Sequence, residues 1–89
     1  MVRAGGEKVA IIVEIGQPYQ SAEGEWRTPV ALHGLHERLS DICGEDSLQS
    51  LSLAVEFIRR RLASVVERGD QLIDAEGDDF HFDVYFPKM

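Results

Sequence analysis

Residues 44–69 read GEDSLQSLSLAVEFIRRRLASVVERG, and this stretch organises the fold. Asp46 is of the residue class whose side chain accepts from the free N–H groups of a first helical turn, and Gln49 stands three residues on, where a capping-box partner reaches back. Gly69 follows Arg68 and can take the left-handed conformation that closes a helix. At about 100° per residue, Leu48, Leu51, Ala54, Val55, Ile58, Leu62, Val65 and Val66 form one broad apolar stripe, wide enough to cover a sheet face. Leu53 and Phe57 lie one turn apart, roughly opposite that stripe, with Ser50, Arg60, Arg61 and Ser64 around them.

Strand patterning flanks this helix. Residues 9–15, VAIIVEI, are rich in β-branched side chains and predict a central strand. Residues 16–25, GQPYQSAEGE, carry the Gly, Pro and Ser of a long hairpin connection. From Trp26 the alternation returns, with Trp26, Thr28, Val30 and Leu32 on one face and Arg27, Pro29, Ala31 and His33 on the other. Pro29 cannot donate a ladder hydrogen bond, so it belongs at an edge or a bulge. Residues 36–43, HERLSDIC, read as a short third strand anchored by Leu39 and Ile42, or as an irregular approach to the helix. Leu72 and Ile73 suggest a small strand. Residues 79–86, DFHFDVYF, alternate cleanly and predict a terminal strand. The sum is a single α+β domain over residues 1–89. One long amphipathic helix packs on one face of a small, mostly antiparallel sheet of three to five strands, in the order β-β-(β)-α-(β)-β.

Composition narrows the functional classes. The 89 residues are 44% hydrophobic and 28% charged, values of an ordinary globular domain. No apolar run approaches the length that spans a bilayer, and residues 1–6 lack the apolar core of a signal peptide, so a cytoplasmic protein without membrane association is expected. Cys43 is the one cysteine; a buried, inert thiol in a reducing compartment is expected. The formal net charge is −7. Most of the excess lies after Gly69, where Asp70, Asp74, Glu76, Asp78, Asp79 and Asp83 face Lys88 alone among bases. Such a surface repels phosphate backbones and disfavours nucleic acid. It either solvates a loop and the outer side of a strand, or attracts a basic protein partner.

Motifs for chemistry do not assemble. Nucleophilic catalysis needs a Ser or Cys beside an oriented base, and Cys43 has no such setting among His33, His36 and His81. His33-x-x-His36 with Cys43 is a weak approach to a zinc set, and the acids after Asp70 lack the spacing of a calcium loop. Gly5-Gly6 precedes a strand rather than a helix, so it is no phosphate loop. Arg59, Arg60 and Arg61 splay over about 200° of helix and form no flat basic patch. The expectation is a non-enzymatic protein with no cofactor and no metal.

The run Gly44-Glu45-Asp46-Ser47-Leu48-Gln49-Ser50-Leu51, continued by Leu53-Ala54 and Phe57-Ile58, resembles short bacterial proteins whose helix opens G-x-D-S-L-Q-A-L. Pro18-Tyr19 and Trp26-Arg27-Thr28-Pro29-Val30 are similar to features upstream in that family, a domain of unknown function. Ser50 stands where alanine is usual there. The resemblance implies a bacterial, cytoplasmic origin and transfers no catalytic residue. Two functional expectations follow. One is a protein-interaction module that self-associates, most economically as a homodimer, through the helix face of Leu53, Phe57, Arg60 and Arg61 or through an exposed sheet edge. The bland reading of Leu53 and Phe57 is that residues 17–25 or the C-terminal segment cover them, or that they are ordinary exposed apolar area. The other functional expectation is an acidic inhibitor or immunity-type protein that presents Asp74, Glu76, Asp78, Asp79 and Asp83 to a basic partner.

Overall fold

The computed structural model describes residues 1–35 and 39–86. Its elements run β1 (Ile12–Ile15), β2 (Tyr19–Gln20), β3 (Trp26–Thr28), β4 (Val30–His33), β5 (Ile42–Gly44), α1 (Ser47–Glu67) and α2 (Phe82–Tyr85). The architecture is α+β, as the patterning predicts, with every strand pair antiparallel. The strands divide between two sheets, β1-β4 and β2-β3-β5. By density of packing the chain forms two units, Ile11–Ile58 and Met1–Ala10 with Arg59–Met89.

In the Ile11–Ile58 unit, Pro29 explains why one alternating run serves two sheets. It has no N–H for a ladder, and the strand breaks there into β3 and β4. The alternation nonetheless carries through the break, since Thr28, Val30 and Leu32 are all buried. The expected hairpin connection of residues 16–25 is shortened by β2, whose Tyr19 and Gln20 pair with Arg27 and Trp26. Ser21 N–H donates to Glu25 O at 2.7 Å to close the turn that remains. Of residues 36–43, residues 36–38 lie outside the described residues, and the strand forms later than expected, at Ile42–Gly44. Cys43 corrects the expectation of a buried thiol: it is exposed on β5, opposite Arg27.

Helix α1 begins as its sequence dictates. Gln49 N–H donates to Asp46 Oδ1 at 2.7 Å, and the Gln49 side chain reaches back to Glu45 N–H at 2.6 Å, one residue before the cap. Its first half packs on the β2-β3-β5 sheet through a polar relay. Ser50 Oγ donates to Ile42 O at 2.8 Å and lies 2.6 Å from Thr28 Oγ1. Because the single Ser50 hydroxyl proton goes to Ile42 O, Thr28 must be the donor in the second bond. Both side chains are fully buried and both are satisfied.

The buried row of α1 is therefore turned from the predicted stripe. It comprises Ser50, Ala54, Ile58, Leu62 and Val65, while Leu48 (72% exposed), Leu51 (36%) and Val66 (47%) fall outside it. Ser50 faces inward because its hydroxyl has two partners there, the buried Thr28 Oγ1 and Ile42 O, and the apolar count alone could not register that.

In the other unit, the helix ends as a Schellman motif. Gly69 has φ +99°, its N–H donates to Val66 O at 3.0 Å, and Asp70 N–H donates to Val65 O at 3.2 Å. The predicted strand over residues 9–15 is divided at its start, because Val9 N–H bonds Met1 O while the Met1 amino group bonds Val9 O, each at 2.8 Å. Val2 bridges both Lys8 and Gln71. Asp70 secures this hairpin by accepting from Ala4 N–H at 3.0 Å and from Arg68 Nε at 3.1 Å.

Leu72 and Ile73 form an isolated bridge, Ile73 to Asp79, rather than a strand. The predicted terminal strand of residues 79–86 is also corrected: Phe82–Tyr85 is a helical turn. A strand would put Phe80 and Tyr85 on opposite faces. The turn instead stacks their rings at 4.8 Å, with Phe82 edge-on to Phe80 at 5.1 Å, an arrangement that favours aromatic clustering over the period-two pattern.

The Ala4 and Arg68 hydrogen bonds hold the Asp70 carboxyl below its ordinary value of 3.8, the backbone bond contributing most. A depressed acid stabilises the folded state fully above its unfolded pKa, and that stabilisation is lost as pH falls through the folded pKa. Asp70→Asn keeps an acceptor for Ala4 but loses the charge. Urea midpoints should therefore separate wild type from the variant at about pH 6 and converge as the pH falls below 3.8 and through the folded pKa. A gap that does not change with pH would remove this role for Asp70.

Candidate functional site: the free edge of β1 and the outer helix face

Strand β1 departs most from what its sequence predicts. VAIIVEI reads as a central strand, yet β1 pairs with β4 alone among the described residues, in the register Ile12–His33, Val13–Leu32, Glu14–Ala31 and Ile15–Val30. All of β1 is exposed: Ile12 by 58%, Val13 by 43% and Ile15 by 37%. Val13 and Ile15 share their face with the buried Val30 and Leu32, so the apolar inner surface of β4 runs outward onto an uncovered neighbour.

The direction of the β1 main chain follows from one bond. Gly16 N–H donates to Pro29 O at 2.8 Å, which makes Gly16–Pro29 a hydrogen-bonded pair. Antiparallel pairs alternate, so Glu14–Ala31 and Ile12–His33 are the other bonded pairs. The N–H and C=O groups of Val13 and Ile15 then point away from β4, toward the free edge. Beside them, residues 13–16 and 29–31 line a shallow hollow of about 440 Å³. Glu14 Oε1 lies 3.3 Å from His33 Nε2, an exposed pair that is ionic when His33 is protonated and contributes little to stability.

The helix residues singled out by sequence are distributed as follows. Leu53 is 44% exposed and Phe57 is half-buried, both on α1 in the Ile11–Ile58 unit. Phe57 thus flanks the buried row instead of opposing it, a consequence of the inward turn of Ser50. Arg60 and Arg61 are exposed and belong to the other unit.

The acidic residues form no single site. Asp74 Oδ1 accepts from Glu76 N–H at 3.0 Å and from Asp78 N–H at 2.9 Å, so this carboxylate shapes its own turn. Asp79 Oδ1 accepts from Gln71 Nε2 at 2.8 Å. Glu76 and Asp78 are exposed, and Asp83 lies in α2. Among the described residues, no three His, Cys, Asp or Glu side chains gather to hold a metal ion.

Elsewhere in the Ile11–Ile58 unit, Tyr19 Oη donates to Asp41 Oδ2, which raises the tyrosine above its ordinary pKa. Arg27 is held charged by its bonds to Glu25, with Glu23 at 3.9 Å. These pairs brace β2 and β3. The Thr28–Ser50 hydroxyls are fully buried and committed to Ile42 O, which closes them to a substrate.

Among the described residues, no helix is long and apolar enough to cross a membrane. No curated protein and no solved structure matches this chain. A family model for a domain of unknown function, DUF6968, matches residues 1–84, and the chain belongs to that family.

Proposed function

We propose that this protein is a non-enzymatic protein-interaction module that self-associates. The observation that carries the reading is β1, whose exposed Val13 and Ile15 make one face apolar and which is paired on one side among the described residues. A two-stranded sheet is marginal in water, and an exposed edge with outward main-chain N–H and C=O groups is a template for another strand. Exposed Leu53 on α1 offers further apolar area on the same unit.

The acidic segment is a weaker basis for function, because Asp70, Asp74 and Asp79 already hold main-chain or side-chain partners. Its proposed role, docking a basic protein, is separable by salt: charge-led binding weakens as ionic strength rises, whereas an apolar junction responds little. Sedimentation equilibrium over a wide concentration range, at low and high salt, should show a dimer that salt barely affects. A protein that stays monomeric at the highest concentration would refute self-association.

A further inference from the structure

We propose that two copies join edge to edge through β1, antiparallel, about a two-fold axis passing through Val13, so that the sheets combine in the order β4-β1-β1′-β4′. This rests on the self-association reading and adds its surface and register.

The register follows from which groups face outward. Val13 and Ile15 present their N–H and C=O to the edge, so an outward residue must meet an outward residue of the other copy. Four two-fold arrangements satisfy this. An axis at Glu14 would set Glu14 directly against its own copy, a like-charge pair at the closer strand spacing. An axis at Ile15 would set the apolar Val13 against the polar Gln17′ and interrupt the β-branched face. An axis at Ile12 would call on Val9′, whose N–H and C=O already bond Met1.

The axis at Val13 avoids each conflict. Val13 meets Val13′, Ile11 meets Ile15′, and Ile12 meets Glu14′. The β-branched side chains of residues 11, 13 and 15 and their copies then share one face, continuous with the buried Val30 and Leu32 of β4. The sequence I-x-V-x-I is its own partner when reversed, which is what an isologous junction requires and an unrelated strand need not offer. Glu14 escapes its own copy and keeps His33 beside it.

A charge-swap experiment tests the axis, with Cys43→Ser as background because that thiol is exposed. Val13→Lys and Val13→Glu should each weaken self-association by up to about fivefold, the upper range for directly opposed cross-strand pairs, and their equimolar mixture should recover the dimer. Independently, Val13→Cys should form a disulfide dimer under mild oxidation, since bonded partners lie about 5.5 Å apart at Cα, within bridging distance. Glu14→Cys should not, because its own copy is a diagonal neighbour beyond that reach. Circular dichroism confirms that each variant is folded. A wild-type dimer that persists in Val13→Lys but is lost in Phe57→Glu would overturn the β1 junction and leave self-association standing. Cross-linking in Glu14→Cys in preference to Val13→Cys would overturn the axis. A wild-type monomer at every concentration would overturn both readings.

Discussion

Gly44→Ala is expected to destabilise the protein by about 3 kcal/mol or more, the upper end for overpacking. A methyl group at residue 44 would sit 2.5 Å from Ser50 N, 2.8 Å from Ser50 Cα and 3.1 Å from Gln49 C. These are backbone atoms of the first helical turn, so no side-chain rotation relieves the overlap. Withdrawal of the helix is also opposed, because Ser50 Oγ is bonded to Ile42 O on the strand that Gly44 ends. The residue at 44 must lack a Cβ because helix and strand approach so closely, not because of its backbone conformation. Gly24→Ala provides the contrast. Gly24 has φ +92° but nothing within 4 Å, so its cost should be the strain of a left-handed alanine, about 1–2 kcal/mol. Urea denaturation of both variants checks the pair, and a Gly44→Ala loss below that of Gly24→Ala would show that α1 does not need this close approach.

Ile58→Ala should cost about 2–5 kcal/mol, the range for a buried aliphatic side chain whose removal leaves a cavity. Ile58 is 1% exposed, next to Ala54 in the buried row. Leu51→Ala should cost at most about 2 kcal/mol, because Leu51 remains 36% exposed and loses less transfer free energy. By hydrophobic periodicity the two leucine and isoleucine positions are equivalent members of one stripe. The difference between them therefore measures how far the helix is turned by the Ser50 anchor. Equal losses in chemical denaturation would mean that the buried face is the one the apolar pattern alone describes.

Much of α1 is legible in the chain because its signals are local. The Asp46 cap, the Gln49 return bond and the Gly69 closure each act within a few residues, where spacing fixes geometry. The alternation across Trp26 to His33 and the punctuation at Pro29 are legible for the same reason. The inward face of Ser50 is less so, since its partners Thr28 and Ile42 are distant in sequence or in another element. Residues 80–86 show the opposite failure, a clear strand pattern replaced by a turn once the rings of Phe80, Phe82 and Tyr85 could stack.

The candidate surface divides along the same line. Composition and pattern by themselves determined an α+β chain, its strand-rich first half, its long helix with both ends, and the apolar character of residues 11–15. Tertiary structure decided that β1 stands at an edge with Val13 and Ile15 uncovered, that Phe57 flanks the core, and that Cys43 is exposed. Periodicity reports which side chains share a face, a property of one segment. Whether that face or edge is covered depends on which other segments arrive beside it, and their arrival is set by long-range pairing that no local spacing encodes.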